Sequence, residues 1–225
     1  MDSLPPELID RIASFVSLLE SDQERSTKPR HAVLALISKQ WRGVIENRTF
    51  SSVEIKSTEL QTFADVYGGR IGIERRACLH ELTLTFMPPE HIDAASRTCS
   101  RDVRSAKRRR NNEAFTAAIR TLFATLSSWS YDQAYDRAIA FEILDPPNVH
   151  PRRKVELLAP ETIPLVQRIT GFRNADNMIN IGSLPLIVSR LPALQEFNWE
   201  TFEHNEPLNS VRIRRNRYRE QYDLL

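Results

Sequence analysis

Apolar residues recur at helical spacing near the amino end of the chain and at alternate positions further on. Leu8, Ile12, Phe15 and Leu19 fall at i, i+4, i+7 and i+11, which predicts an amphipathic helix. Pro6 opens it without losing a hydrogen bond, because the N–H at that position has no partner inside a helix. Glu7 follows in the first turn, where its charge suits the positive end of the dipole. Val33, Ile37, Trp41, Val44 and Ile45 repeat the period and predict a second helix. After Arg48 the pattern changes, and Phe50, Val53 and Ile55 predict a strand. Thr58 and Gln61 form a capping box for a helix that buries Leu60, Phe63, Val66 and Tyr67, and Gly68-Gly69 ends it. Leu79, Leu82, Leu84 and Phe86 then give a second strand, closed by Pro88-Pro89.

The longest helix is predicted from Asn112, with Phe115, Ala118, Ile119, Leu122, Leu126 and Trp129 along one side. Ala138, Phe141 and Ile143 predict a third strand, ended by Pro146-Pro147, and Leu194, Phe197 and Trp199 a fourth. Between them His150 to Gly182 is weakly patterned. Pro160 and Pro164 limit any helix there, and Gly171-Phe172 with Asn174 reads as irregular loop. Ser183 caps a further helix, with Pro185 in its first turn and Leu186, Ile187 and Leu191 inside. Val211 to Tyr222 reads as the start of another, with Arg212, Arg215 and Arg219 outside and Tyr218 and Tyr222 inside.

The predicted strands share one spelling, an apolar residue followed three and five positions later by two more. Stacked strand–helix units of a leucine-rich repeat have this form. The first two are one repeat apart and the later ones about double that, against a period of ~20–29 residues. The expected fold is therefore α/β: a small N-terminal helical bundle, residues 1–48, followed by an irregular leucine-rich-repeat-like solenoid with a parallel sheet, residues 49–225. An ordinary α/β domain with parallel strands and crossover helices is the alternative. A stack needs a polar closing unit; the pattern stops before one, so an array incomplete at its C-terminus is expected.

The 225 residues carry a net charge of only +2, so no global attraction to nucleic acid or membrane follows. No apolar run is long enough to cross a bilayer, and no secretion signal is seen. Two cysteines, Cys78 and Cys99, lack metal-ligand spacing and are expected as free thiols in a reducing compartment, the cytoplasm and/or nucleus. The histidines are scattered, and His80 is expected on the surface. No dinucleotide fingerprint, P-loop or Gly-x-Ser-x-Gly elbow is present. No catalysis, metal or cofactor is expected. A basic segment at about 91–111 includes Arg101, Arg104 and Lys107-Arg108-Arg109-Arg110. It reads as a solvated loop, or as a phosphate-contacting patch or nuclear-import signal.

The order Leu4-Pro5-Pro6-Glu7-Leu8, then Ile12 and Phe15, then Ile37-Ser38-Lys39-Gln40-Trp41-Arg42 resembles the F-box family. The link from Ser21 to Arg30 is longer than the usual joint of that family. The resemblance implies an intracellular substrate-recognition adaptor of a Skp–cullin–F-box ubiquitin ligase. It would hold a Skp-type adaptor, and through it a cullin, and would present its repeats to an unknown protein substrate. By matching position, the adaptor-binding set would be Leu4, Pro5, Leu8, Ile12, Ile37 and Trp41. The other readings are a nucleic-acid-binding module using the basic segment and the arginine-rich tail, and an F-box-like scaffold outside any ligase. Nucleic acid is the lesser expectation, since aromatics are not interleaved with the basic residues.

Overall fold

The structure, a computed structural model, describes residues 4–21, 33–89, 100–129, 138–145, 154–174, 179–203 and 206–214. The side chain of Leu19, residues 91–99 of the basic segment with Cys99, Pro146-Pro147, and the tail from Arg215 with Tyr218, Arg219 and Tyr222 lie outside the described part. Among the described residues the chain is mixed α/β, with a six-strand, mostly parallel sheet and six α-helices. It forms two compact units, Met1–Val53 with Tyr67–Leu79, and Glu54–Val66 with His80–Leu225.

The amino-terminal unit contains α1 (Pro6–Ser21), α2 (Lys39–Ser51) and α4 (Ile71–Cys78). The last of these was not foreseen. Gly69 has φ +61, the left-handed turn that glycine adopts without penalty, and it breaks the helical run as expected. The chain then re-enters a helix at once. A Cβ on Gly72 would lie 2.1 Å from the Tyr67 carbonyl oxygen, so only glycine lets α4 start so close to the preceding turn.

The second unit is built on the sheet. Its strands are β1 (Ser52–Lys56), β2 (Glu81–Thr85), β3 (Ile139–Leu144), β4 (Ile169–Asn174), β5 (Glu196–Glu203) and β6 (Glu206–Arg214), side by side in chain order. Pairing is parallel from β2 to β5, and β6 returns antiparallel along β5. Between strands lie α3 (Leu60–Tyr67), α5 (Arg101–Ser127), α6 (Leu184–Val188) and 3-10 turns at Pro160–Thr162 and Ile181–Ser183.

The shared spelling becomes register. Leu82, Phe141, Phe172 and Phe197 stand opposite one another across four strands, and Leu84, Ile143, Asn174 and Trp199 form the next row. Phe141 stacks on Phe172 at 5.7 Å, and Phe172 on Phe197 at 5.7 Å. Phe123 of α5 meets Phe141 edge-on at 6.0 Å, and Phe115 meets Phe86 edge-on at 5.2 Å. This aromatic ladder under α5 is the core. The alternate positions make the other face: Glu81, Ala140, Gly171 and Glu196 align in one row, and Thr83, Glu142, Arg173 and Asn198 in the next.

Several expectations are corrected here. β4 occupies a stretch read as loop. β6 is a strand where Val211 was expected to open a helix. Phe50 lies in the last turn of α2 and does not start β1. α5 begins at Arg101, capped by Ser100, so residues 101–111 are helix and not loop. Asn112 is therefore buried in mid-helix, where its Oδ1 accepts the Glu156 N–H. Thr116 Oγ1 accepts from Leu158 N, and Ser183 Oγ from Leu157 N. Three side chains thus satisfy consecutive backbone donors of a strand-like segment, which a buried segment requires. Ser183 serves that purpose in place of capping α6.

Candidate interaction surfaces

α1 turns its Leu8–Ile12–Phe15 stripe outward. Among its described side chains Ile9 and Ala13 are fully buried. Leu8 is 44% exposed, Ile12 41% and Phe15 67%, so the apolar face marked by the helical spacing is the outer one. The Pro5 carbonyl accepts from Leu8 N and Ile9 N to start the helix. Leu4, also exposed, offers its carbonyl to Gln40 Nε2 at 2.6 Å, which holds the start of α2 beside the start of α1. Arg48 on α2 donates to Ser14 Oγ, whose hydroxyl donates to the Asp10 carbonyl at 2.8 Å.

The segment before α2 is a tight turn, with Leu36 N bonded to Val33 O and Ile37 N to Leu34 O. It leaves Leu36 76% and Ile37 59% exposed. Ser38 ends the turn and caps α2: its Oγ accepts from Trp41 N at 3.3 Å, and its carbonyl accepts from Arg42 N. The Ser-x-x-Trp spacing is thus a local helix start. Trp41 is half-buried and Ile45 buried, so α2 keeps Ile45 for its own core and shares Trp41 between core and surface.

Of the residues carried over from the resemblance, Leu4, Pro5, Leu8, Ile12 and Ile37 are exposed and Trp41 is not fully covered. Phe15 and Leu36 belong to the same exposed apolar set. Phe15 was visible as part of a helical stripe; Leu36 falls off that period and gave no signal.

The rest of this unit is held by aromatic and cationic packing. Tyr67 OH donates to the Phe50 carbonyl, the two rings meet edge-on at 5.9 Å, and the Arg75 guanidinium lies 4.7 Å over the Phe50 ring. Burial, then the charge of Cys78, hold the Tyr67 phenol far above its ordinary range, against the opposing pull of Arg75. Burial lowers the Arg76 guanidinium, whose Nε and Nη2 donate to the carbonyls of Gly72 and Gly69. These groups fasten the turn between α3 and α4. The Cys78 thiol donates to the Glu74 carbonyl at 3.3 Å, and His80 is half-buried and not plain surface.

The basic run lies on α5. Arg101, Arg104, Arg108, Arg109 and Arg110 are exposed, Lys107 is half-buried, and Arg109 pairs with Glu113 at 2.9 Å. Among the described residues no group of three or more His, Cys, Asp or Glu side chains is placed to hold a metal. No described helix is long and apolar enough to cross a membrane. No protein-family model, curated protein or solved structure matches the chain.

Proposed function

We propose that the chain is the substrate-recognition subunit of a Skp–cullin–F-box type ubiquitin ligase, whose amino-terminal unit docks on a Skp-type adaptor. One observation carries the reading. Leu8, Ile12, Phe15, Leu36 and Ile37 stand exposed on a small helical unit that has its own core in Ile9, Ala13 and Ile45. Clustered apolar surface beyond what folding needs marks a docking surface. A partly covered tryptophan, Trp41, on the same unit supplies the kind of aromatic anchor that dominates interface energetics. The strand–helix units, read as an irregular leucine-rich-repeat-like solenoid, then present the substrate. The chain acts by positioning, raising the effective concentration of substrate lysines near a charged ubiquitin carrier.

Leu8→Asp with Phe15→Asp tests this. Phe15 is mostly exposed and Leu8 partly so, and folding changes by about 1 kcal/mol or less at each site. Docking can bury only the part of each side chain still exposed, about 1–2 kcal/mol apiece, so their loss should weaken capture by a purified Skp-type adaptor at least about tenfold. Equal capture of variant and wild type, with circular dichroism unchanged, rejects the reading. So does absence of capture by the wild type.

One observation favours a second reading, binding to nucleic acid. The cations of α5 are presented on its first three turns, roughly 15 Å of helix, and not on a loop. Under this reading, affinity for a labelled duplex falls steeply and linearly as log salt rises. Arg108→Ala with Arg110→Ala should make that slope shallower by about one to two; an unaltered slope removes this reading.

A further inference from the structure

The turn before α2 carries a hydroxyl that the adaptor contact leaves unused. Ser38 is exposed, and its backbone is extended, with φ −160 and ψ 170. Val33, Leu36 and Ile37, all exposed, come just before it. Lys39 and Arg42, also exposed, come just after it, and the first turn of α2 holds no carboxylate. The Ser38 Oγ accepts from Trp41 N at 3.3 Å, a role that an aspartate or phosphate oxygen fills equally well at the start of a helix. Ser14, beside Phe15 on the same unit, does not meet these conditions. It is half-buried and engaged twice, accepting from Arg48 and donating to the Asp10 carbonyl.

We infer that Ser38 is a phosphorylation site whose modification turns docking off and leaves the fold in place. This rests on the adaptor reading, because it concerns the same apolar surface. In the step, Ser38 Oγ attacks the γ-phosphorus of ATP held by a protein kinase. The new O–P bond replaces the bond to the β-phosphate oxygen, ADP leaves, and the hydroxyl proton passes to a base of the kinase. The added group acts in opposite directions inside and outside the chain. Inside, it lies at the positive end of the α2 dipole, near first-turn N–H groups that have no helical partner, so it favours the helix start. Outside, it sets a charge of about −1.5 to −2 beside Leu36 and Ile37. Closing an apolar contact over that group strips its hydration, and a partner charge from Lys39 or Arg42 does not make up the loss.

The test uses the full chain with phosphoserine installed at position 38 by site-specific incorporation, beside Ser38→Asp and Ser38→Asn. Asparagine caps a helix as serine does and adds no charge. Capture by a purified Skp-type adaptor should fall at least about tenfold for the phosphoserine and aspartate chains and stay at the wild-type level for the asparagine chain. Circular dichroism should be unchanged in all three, with thermal midpoints no lower than that of the wild type. In a second arm, the wild type is incubated with ATP and a purified protein kinase directed to serines followed by basic residues. Mass spectrometry of its peptides should find phosphate on Ser38. A phosphoserine chain captured as well as the wild type overturns the inference and leaves the adaptor reading standing. So does an asparagine chain that loses capture as the aspartate chain does, since the hydroxyl and not the charge would then matter. A kinase reaction that leaves Ser38 unmodified overturns it too. A wild type that the adaptor does not capture removes both readings together.

Discussion

Phe172→Ala is expected to lower the stability of the sheet unit by about 3–5 kcal/mol, a large part of the ~5–15 kcal/mol typical of a whole domain. The ring is buried and stacks on Phe141 on one side and Phe197 on the other. Truncation therefore removes apolar burial and two ring contacts together. It also leaves a cavity, because the flanking rings sit on hydrogen-bonded strands that cannot close the gap. Phe197→Ala should cost less, since that ring is half-buried and has one described aromatic neighbour. The measurement is a urea titration followed by near-ultraviolet circular dichroism, with midpoints compared at matched slopes. A Phe172→Ala midpoint indistinguishable from wild type would mean that β4 does not lie between β3 and β5.

That strand also shows what the sequence could and could not convey. The apolar spelling located the core rows correctly at Leu82, Phe141 and Phe197, which the sheet sets in one register. It passed over Phe172 because Gly171 and Asn174 flank it, and both types usually mark loops. The doubled spacing between the third and fourth predicted strands was the missing signal, since β4 fills it. The other doubled gap holds the long α5. Sequence spacing alone does not tell a strand from a helix as the content of such a gap. β6 was misread because charged residues invited a helical count, although Val211, Arg212, Ile213 and Arg214 alternate with the period of a strand.

The amino-terminal unit poses a different question. α1 has more apolar positions than its short neighbours can cover, so periodicity did not reveal which of two overlapping stripes faces inward. Tertiary packing chose Ile9 and Ala13, and the stripe left outside is the one the proposed adaptor contact uses. A similar surplus does not exist in α5, whose buried face runs from Phe115 through Ile119 and Leu122 to Leu126 as its period predicts. Charge was misleading there instead, because consecutive arginines read as loop while Ser100 accepts from Val103 N and starts a helix.

Asn174→Leu is expected to stabilise the chain by about 1–3 kcal/mol. Asn174 occupies a core row between Ile143 and Trp199, is 0% exposed, and neither its Nδ2 nor its Oδ1 has a hydrogen-bond partner. A buried amide with both ends unpaired has lost its hydration and gained nothing in return. Leucine keeps the γ-branched shape, removes both polar atoms and adds apolar contact with Ile143. Its added volume is the opposing term, and overpacking of this size costs ~1–3 kcal/mol at worst. Asn174→Val, smaller and β-branched, separates the two effects: it removes the same polar atoms without the added bulk and suits a strand. If desolvation dominates, both variants unfold at higher temperature, by about 2–4 °C for each kcal/mol gained. If both are less stable than wild type while retaining the same secondary structure, the amide is engaged in holding the end of β4. Its burial would then be a specific requirement of the sheet, and the Leu84–Ile143–Asn174–Trp199 row would owe its register to a polar contact and not to shape.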